Sequence, residues 1–441
     1  MSAKTSTIPF SKKAAGTAAG LAAAALLASA LVACGGAAGA PIEPGPDAVK
    51  RIQTALIEAP PGAVVELGAG RFDLDTTLSL DVEGVTIRGQ GMGETILDFA
   101  NQAAGSGGEG ITVTADAFTI EDLTVANTRG DGVKVEGTTG ATFRRVMVDW
   151  DGEPKTTNGA YGLYPVQVTD VLIEDSKVRG CSDAGIYVGQ SKNIIVRRNE
   201  VWENVAGIEI ENSQGAEVYQ NVAHHNAGGI LVFSLPELPV KDGRDSRVYD
   251  NEIYENNHEN FGKPGAIVSA LPPGSGLILM ANDNTEVWDN RFRDNQTANI
   301  AVYSFLSTQR EYDDAGYDPY PEGIWIHGNA FEGGGDEPVG RFATAVLPYL
   351  GAEGMPDILW DGIVDPAKLV DGEVAPGHRL YLGDNGDATF AAVDMAAVLE
   401  GREPQVERDA SLFAGELPSP PAPITIEGVD AAGAPASTAG L

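Results

Sequence analysis

The chain has 441 residues, with 63 acidic side chains against 29 basic ones and a formal charge of −34. This balance excludes nucleic acid as a partner and opposes anionic membrane surfaces; it also opposes a polyanionic sugar unless Ca²⁺ bridges the charges. With two cysteines in the whole chain, no Cys/His metal cluster can be built.

The predicted elements begin with a processing signal. Lys4, Lys12 and Lys13 precede an apolar Ala/Leu run from Ala14 to Ala30, and Leu31-Val32-Ala33-Cys34 follows, which is similar to a bacterial lipobox. The expectation is a lipoprotein signal peptide over 1–33, a lipid on Cys34 and a flexible tether over 34–45. The apolar run is short for a membrane-spanning helix. Gly35 after the cysteine resembles the Gram-negative signal for transfer to the outer membrane, which puts the mature chain in the cell envelope, facing the periplasm or the cell surface.

Apolar residues at helical spacing in Val49, Ile52, Leu56 and Ile57 predict a helix after Pro46, stopped by Pro60-Pro-Gly62. From there the chain reads as strands and turns. A phrase then recurs with its register intact: Val196-Arg-Arg-Asn199-Glu-Val-Trp-Glu-Asn204, and again from Val218, Val248 and Val287. Each copy carries one Asn three residues after its first apolar residue and a second Asn five later. A small-Gly-apolar-x-apolar strand usually follows, as in Ala184-Gly-Ile-Tyr-Val188. Uninterrupted copies lie 22 residues apart, the period of a solenoid whose coil holds three short strands. Stacked coils would pair like strands in parallel, about 4.8 Å apart. Asn199, Asn221, Asn251 and Asn290 would then form one amide ladder, and Asn204, Asn226, Asn256 and Asn295 a second. Asn is also tolerant of left-handed turn geometry, which accounts for its place at the corners.

This pattern resembles the right-handed parallel β-helix proteins: pectate lyases, alginate epimerases and the domain shared by carbohydrate-binding proteins and sugar hydrolases. The resemblance spans 46–335 and implies an all-β, single-stranded right-handed parallel β-helix with an N-terminal capping helix. Residues 336–416 would supply irregular last coils and a C-terminal cap, with a helix near Ala391–Leu399. The Pro/Ala/Gly-rich stretch 417–441 reads as a disordered tail.

Insertions point to the working face. Trp150–Asn158 and Asn257–Ser275 precede the small-Gly strand, and Ser234–Asp245 and Ser304–Glu322 follow it, so four loops should wall a groove on one sheet. Alternation puts Lys134, Tyr164, Tyr187, Glu209 and Leu231 in one outward column. Glu136, Val166, Gly189, Glu211 and Phe233 form the next, and Asp131 and Tyr161 lie one residue before the glycine. Tyrosine rings beside carboxylates suit a sugar, so Tyr164, Tyr187, Glu209, Glu211 and Gln167 are the candidate ligand-binding residues. Tyr164 and Tyr187 are expected to stand as a stacked platform outside the core.

Tyr161-Gly-Leu-Tyr-Pro-Val-Gln167 is similar to the catalytic strand of mannuronan C5-epimerases, which reads Tyr-Gly-Phe-Asp-Pro-His. Tyr161, Gly162 and Pro165 match; Tyr164 replaces the Asp and Val166 the His, and a Val moves no proton. The same strand resembles exported bacterial β-helix lipoproteins. The leading expectation is therefore a lipid-anchored β-helix that binds a carbohydrate polymer. A polysaccharide lyase or epimerase is the first alternative, with Tyr161 as base and Lys134 or Tyr187 assisting. A periplasmic scaffold or maturation factor is the second. Asp149, Asp151 and Glu153 form an acidic loop with oxygen ligands spaced for Ca²⁺, and Asp313, Asp314 and Asp318 allow the same reading. His224-His225 reads as a solvated turn, and Cys181 as a buried small residue.

Overall fold

A computed structural model describes residues 40–429. The signal peptide, Cys34, the first half of the tether and residues 430–441 lie outside the described residues. Within them, Val, Ile, Leu and Phe on alternate positions turn inward and stack into one continuous core from Ile52 to Phe390. Each coil contributes a strand to three long parallel ladders, as the 22-residue period requires.

Helix α1 (Ala48–Glu58) covers the open first coil, with Ala48, Ile52 and Leu56 buried. Gln53 closes the exposed edge directly: its Nε2 donates to Ser79 O at 2.9 Å and its Oε1 accepts from Ser79 N at 2.8 Å. The end of the expected tether is not free. Ile42 bridges Leu67 in parallel, and its N–H donates to Glu66 O at 2.9 Å.

Both asparagine ladders form. Asn199 Nδ2 donates to Asn221 Oδ1 at 3.0 Å and to Ile173 O at 3.0 Å, and the Asn199 backbone N–H donates to the same Oδ1 at 3.0 Å. The pattern repeats through Asn251 and Asn290 and continues to Asn329 and Asn385. The second ladder runs Asn204, Asn226, Asn256, Asn295 and ends on Asn299. The left-handed conformation falls on the residue before each Asn, at Arg198, Gln220, Asp250 and Asp289 in the first ladder, and not on the Asn itself. The Asn side chain must point inward to meet its neighbours, and the preceding residue makes the turn that aims it. Cys181 takes the position one coil before Asn204, is fully buried, and its backbone N–H donates to Asn204 Oδ1 at 2.9 Å.

The solenoid does not stop at Gly335. Ile358–Trp360 and Phe390–Val393 extend the small-Gly sheet in parallel, and Leu380–Leu382 extends the next ladder. Helix α2 (Arg341–Leu350) is an excursion between coils rather than a terminal cap. Val406–Glu407, antiparallel to Ala392 and Val393, closes the last edge. The predicted helix at Ala391–Leu399 divides: its first residues are strand, and α3 spans Met395–Leu399. Nor is the tail loose from residue 417. Leu417 is buried, and Ile424, Ile426 and Val429 pack on Leu172, Ile195, Tyr219, Tyr249 and Trp288 of an outer face. Ile424 N–H also donates to Glu217 Oε1 at 3.1 Å. Composition missed this because three apolar residues suffice when a ready-made aromatic stack awaits them: Tyr249 lies 4.7 Å from Tyr219 and 4.2 Å from Trp288.

Asn221→Ala should lower stability by about 3 kcal/mol, since it strands buried donors on Asn199 and the carbonyls of Val196 and Asn251. Chemical denaturation with an unchanged m-value checks it; a loss below about 0.5 kcal/mol would show that the ladder contributes little.

Candidate functional site

The small-Gly sheet carries the expected outward columns. Lys134 pairs with Tyr164, Tyr187 with Glu209, Glu209 with Leu231, Leu231 with Ile278 and Ile278 with Ala301. Glu211 continues from Gly189 to Phe233 and Met280. The four loops gather over this sheet and brace one another. Thr156 Oγ1 donates to Phe261 O at 2.9 Å, Lys241 meets Asp314 at 2.6 Å, and the Tyr317 hydroxyl donates to Ser234 O at 2.7 Å.

They roof the sheet as well as wall it. The outward face becomes a second apolar cluster in which Tyr187, Leu231, Phe233 and Ile278 meet Leu271 and Phe305 from the loops. Beneath the roof lies a cavity of about 1200 Å³. Its floor runs from Tyr161, Asp183, Tyr187, Glu209 and Glu211 at one end to Ile278, Ala301 and Tyr303 at the other, and α2 closes one side through Phe342 and Ala345.

This burial corrects the exposed-platform expectation. Tyr187, Glu209 and Glu211 are only 6%, 4% and 6% exposed. Tyr164 and Tyr187 have ring centroids 5.0 Å apart, the expected spacing, but they meet edge-on at 73°. Tyr161 stacks on Tyr164 at 4.4 Å and leans on Tyr187 at 4.7 Å. Three rings in a cluster exclude water better than they would bind a sugar face. Tyr164 and Lys134 lie behind it, outside the cavity lining. Lys134 Nζ is 3.1 Å from Glu136 and 5.9 Å from the Tyr164 ring centre. Gln167 sits in an exposed left-handed turn beside Gln190, also outside the lining.

Asp183 and Asp131 complete the polar end, and neither was a candidate. Asp183 immediately precedes the small-Gly strand, where the alternation pattern assigns no face. The Tyr161 hydroxyl lies within hydrogen-bond reach of the Asp183 carboxylate. Asp131 accepts from Tyr161 N at 3.2 Å. The Tyr187 hydroxyl donates to Glu211 Oε2 in a short contact. Glu209 has no hydrogen-bond or ion-pair partner among the described residues.

Burial raises every one of these acids. Asp131 is pushed up to about 6 and Glu211 to about 8 by desolvation, the latter aided by Asp183. Burial and then the charge of Asp131 push Asp183 up to about 7, and burial and then Asp183 raise Glu209. Tyr161 rises as well, first through burial and then through Asp183, Glu209 and Glu211, while burial pushes Tyr164 up to about 12. No cation lowers the Tyr161 hydroxyl: the surrounding charge is negative, and Lys134 pairs with Glu136.

The candidate calcium loop does not converge either. Asp149 pairs with Arg179 at 3.1 Å, Asp151 accepts from Asn127 at 2.9 Å and lies 3.6 Å from Arg71, and Glu153 is exposed. Among the described residues, Asp283, Asp318 and Glu322 do converge, within 4.8 Å, where Lys368 at 3.3 Å and His378 at 2.6 Å from Glu322 supply compensating groups. His224 is not a solvated turn residue. It is half-buried in an aromatic stack between Trp202 and Tyr254, with its Nδ1 2.8 Å from that of His225.

These features define a right-handed parallel β-helix with a roofed acidic cavity on one sheet. The family model described as "Right handed beta helix region" matches residues 109–242. A mannuronan C-5 epimerase A-module from Azotobacter vinelandii superposes with a TM-score of 0.53 at 19% identity, over 80% of this chain and 94% of that one. The enzymatically active domain of bacteriophage CBA120 tailspike protein 2 gives 0.49 at 11% identity, over 79% and 48%. An alginate lyase from Paenibacillus sp. gives 0.37 at 15% identity, over 66% and 94%. A search of curated proteins returns no match. At these identities the likeness establishes the fold.

The buried acids imply a pH dependence of stability. Glu211 keeps its proton up to about 8 in the folded chain, whereas the ordinary value is 4.5, so folding takes up a proton between these values. This contribution is full below about 4.5 and is lost as pH rises through about 8. Urea midpoints should fall from about pH 5 to about pH 9, and Glu211→Gln should flatten the fall; an unchanged slope in the variant would show that Glu211 is ionised throughout.

Proposed function

We propose that this protein binds a carbohydrate chain in the roofed cavity. One observation carries the reading: Glu209, buried on the cavity floor beside Glu211 and Asp183, has no hydrogen-bond partner of its own. Its carboxyl lines the cavity and no protein donor occupies it, so it is open to a ligand that brings donors. Sugar hydroxyls both donate and accept, which suits carboxyl groups that hold protons near neutral pH. The β-helix neighbours named for an epimerase and an alginate lyase support a carbohydrate as the class of ligand.

A second reading is favoured by the same acids. A protonated Glu211 or Asp183 beside an ionisable partner is the arrangement that protonates a glycosidic oxygen and then accepts a proton from water. Processing of the glycan would run through these carboxyls rather than through a tyrosine base.

A glycan array probed with the mature protein, followed by titration of each hit, tests the site. Glu209→Ala should weaken binding at least tenfold. Lys134→Ala, outside the lining, should leave it within twofold. Tyr161→Phe keeps the ring and should bind normally, whereas a tyrosine-base enzyme would lose turnover with it. Equal binding by Glu209→Ala and wild type would remove the cavity from consideration.

Cys34 as the lipid-bearing N-terminus of the mature chain belongs to the same proposal, resting on the basic leader, the apolar run and the lipobox. Cys34→Ser should accumulate as unprocessed precursor. Normal cleavage and membrane retention of that variant would end the lipoprotein reading.

A further inference from the structure

The carboxyls of the cavity lie at one end. From the Glu209 strand the floor passes through Leu231 and Ile278 to Ala301, three inter-strand steps or about 14 Å. Over this stretch Val268, Leu271 and Phe342 close in from the loops and α2. The Ser and Thr hydroxyls that line it donate within the protein, and Tyr303 adds one further hydroxyl at the far end. Ser275 Oγ donates to Pro272 O at 2.8 Å, Thr308 Oγ1 to Phe305 O at 2.7 Å, Thr344 Oγ1 to Gly340 O at 2.7 Å, and Ser307 Oγ to Asp361 at 2.6 Å. A bare oligosaccharide laid along this half would bury hydroxyls against Leu231, Ile278 and Ala301 with no partner, at a cost of about 1–3 kcal/mol each. An alkyl chain would gain from the same walls. At the rim Ile267 is 49% exposed and Val339 44%, so the apolar surface continues outward past the mouth.

We propose that the ligand is an amphiphile, a glycan head carrying an alkyl or acyl chain. The head meets Glu209, Glu211 and Asp183, and the chain runs over Leu231 and Ile278 toward Ala301. This rests on the carbohydrate reading of the acidic end and adds what occupies the remainder. The apolar stretch takes about ten carbons, from the rise that C–C bonds of about 1.5 Å allow.

The test uses the neutral apolar dye N-phenyl-1-naphthylamine and its displacement, below micelle-forming concentrations, by alkyl glucosides and maltosides from hexyl to decyl. Methyl glucoside, 1-decanol and decanoate complete the series. Dye fluorescence should rise on binding. Displacement should strengthen about three- to four-fold per added methylene. Ala301→Phe fills the far end with an apolar ring and should weaken decyl glycosides at least tenfold while sparing hexyl ones. Glu209→Gln should weaken the glycosides and leave 1-decanol unchanged. A thermal melt of each variant confirms that it is folded.

No dye binding, or glycoside affinity independent of chain length, would overturn the amphiphile while leaving a carbohydrate site standing. Displacement by 1-decanol as strong as by decyl glycosides would overturn the sugar head, and the carbohydrate reading with it. Tighter displacement by decanoate than by any glycoside would place the polar head at the exposed Arg310 and Arg341 of the rim and overturn the proposed orientation.

Discussion

The parallel stacking of coils, held in register by the asparagine ladders, is the constraint on which the rest depends. Each Asn side chain ties its own coil to the next through two donors on one carbonyl, so a slip of one residue would break every rung at once. A fixed register fixes the outward columns too. Tyr187, Glu209 and Leu231 share a column for the same reason that Asn199, Asn221 and Asn251 do. The chemistry of the site is thus written on a lattice whose spacing is set inside the core.

What the lattice alone does not set is the environment of those side chains. An open sheet would leave Glu209 and Glu211 in water with ordinary acidity. The loops from 257 to 275 and from 304 to 322 cover them, and that cover turns solvated carboxylates into buried acids that hold their protons toward neutral pH. The bracing contacts between loops, such as Lys241 with Asp314 and Tyr317 with Ser234, keep the cover in place. Several other buried acids pair with arginine, as Glu174 with Arg197 and Glu217 with Arg247. Those on the cavity floor do not. That contrast sets the acidic end apart from the structural ion-pair networks, and the proposed binding site rests on it.

Much of this architecture was legible in the chain. The period, the ladders, the entry helix, the four insertions and the outward columns all follow from spacing and alternation. Local pattern gave out where distant segments meet. Last coils were legible after Gly335, but their regular pairing with the solenoid was not, because α2 and its flanks interrupt the period for longer than any earlier loop. The order in 417–429 was hidden because its partners, Tyr219, Tyr249 and Trp288, lie far away in the chain. Asp183 was passed over because it stands just outside the alternating segment.

The sequence by itself determined the solenoid and which side chains share a face, because both follow from interactions between neighbouring repeats of similar sequence. Only the tertiary structure decided that the face is roofed, that its tyrosines pack into a cluster at one end of a cavity, and that its carboxyls are buried without an ion-pair partner. Those outcomes depend on where long insertions fold back, and insertions carry no periodicity from which their course can be read. Burial is a property of the assembled surface, and it made the acids on this sheet into a site.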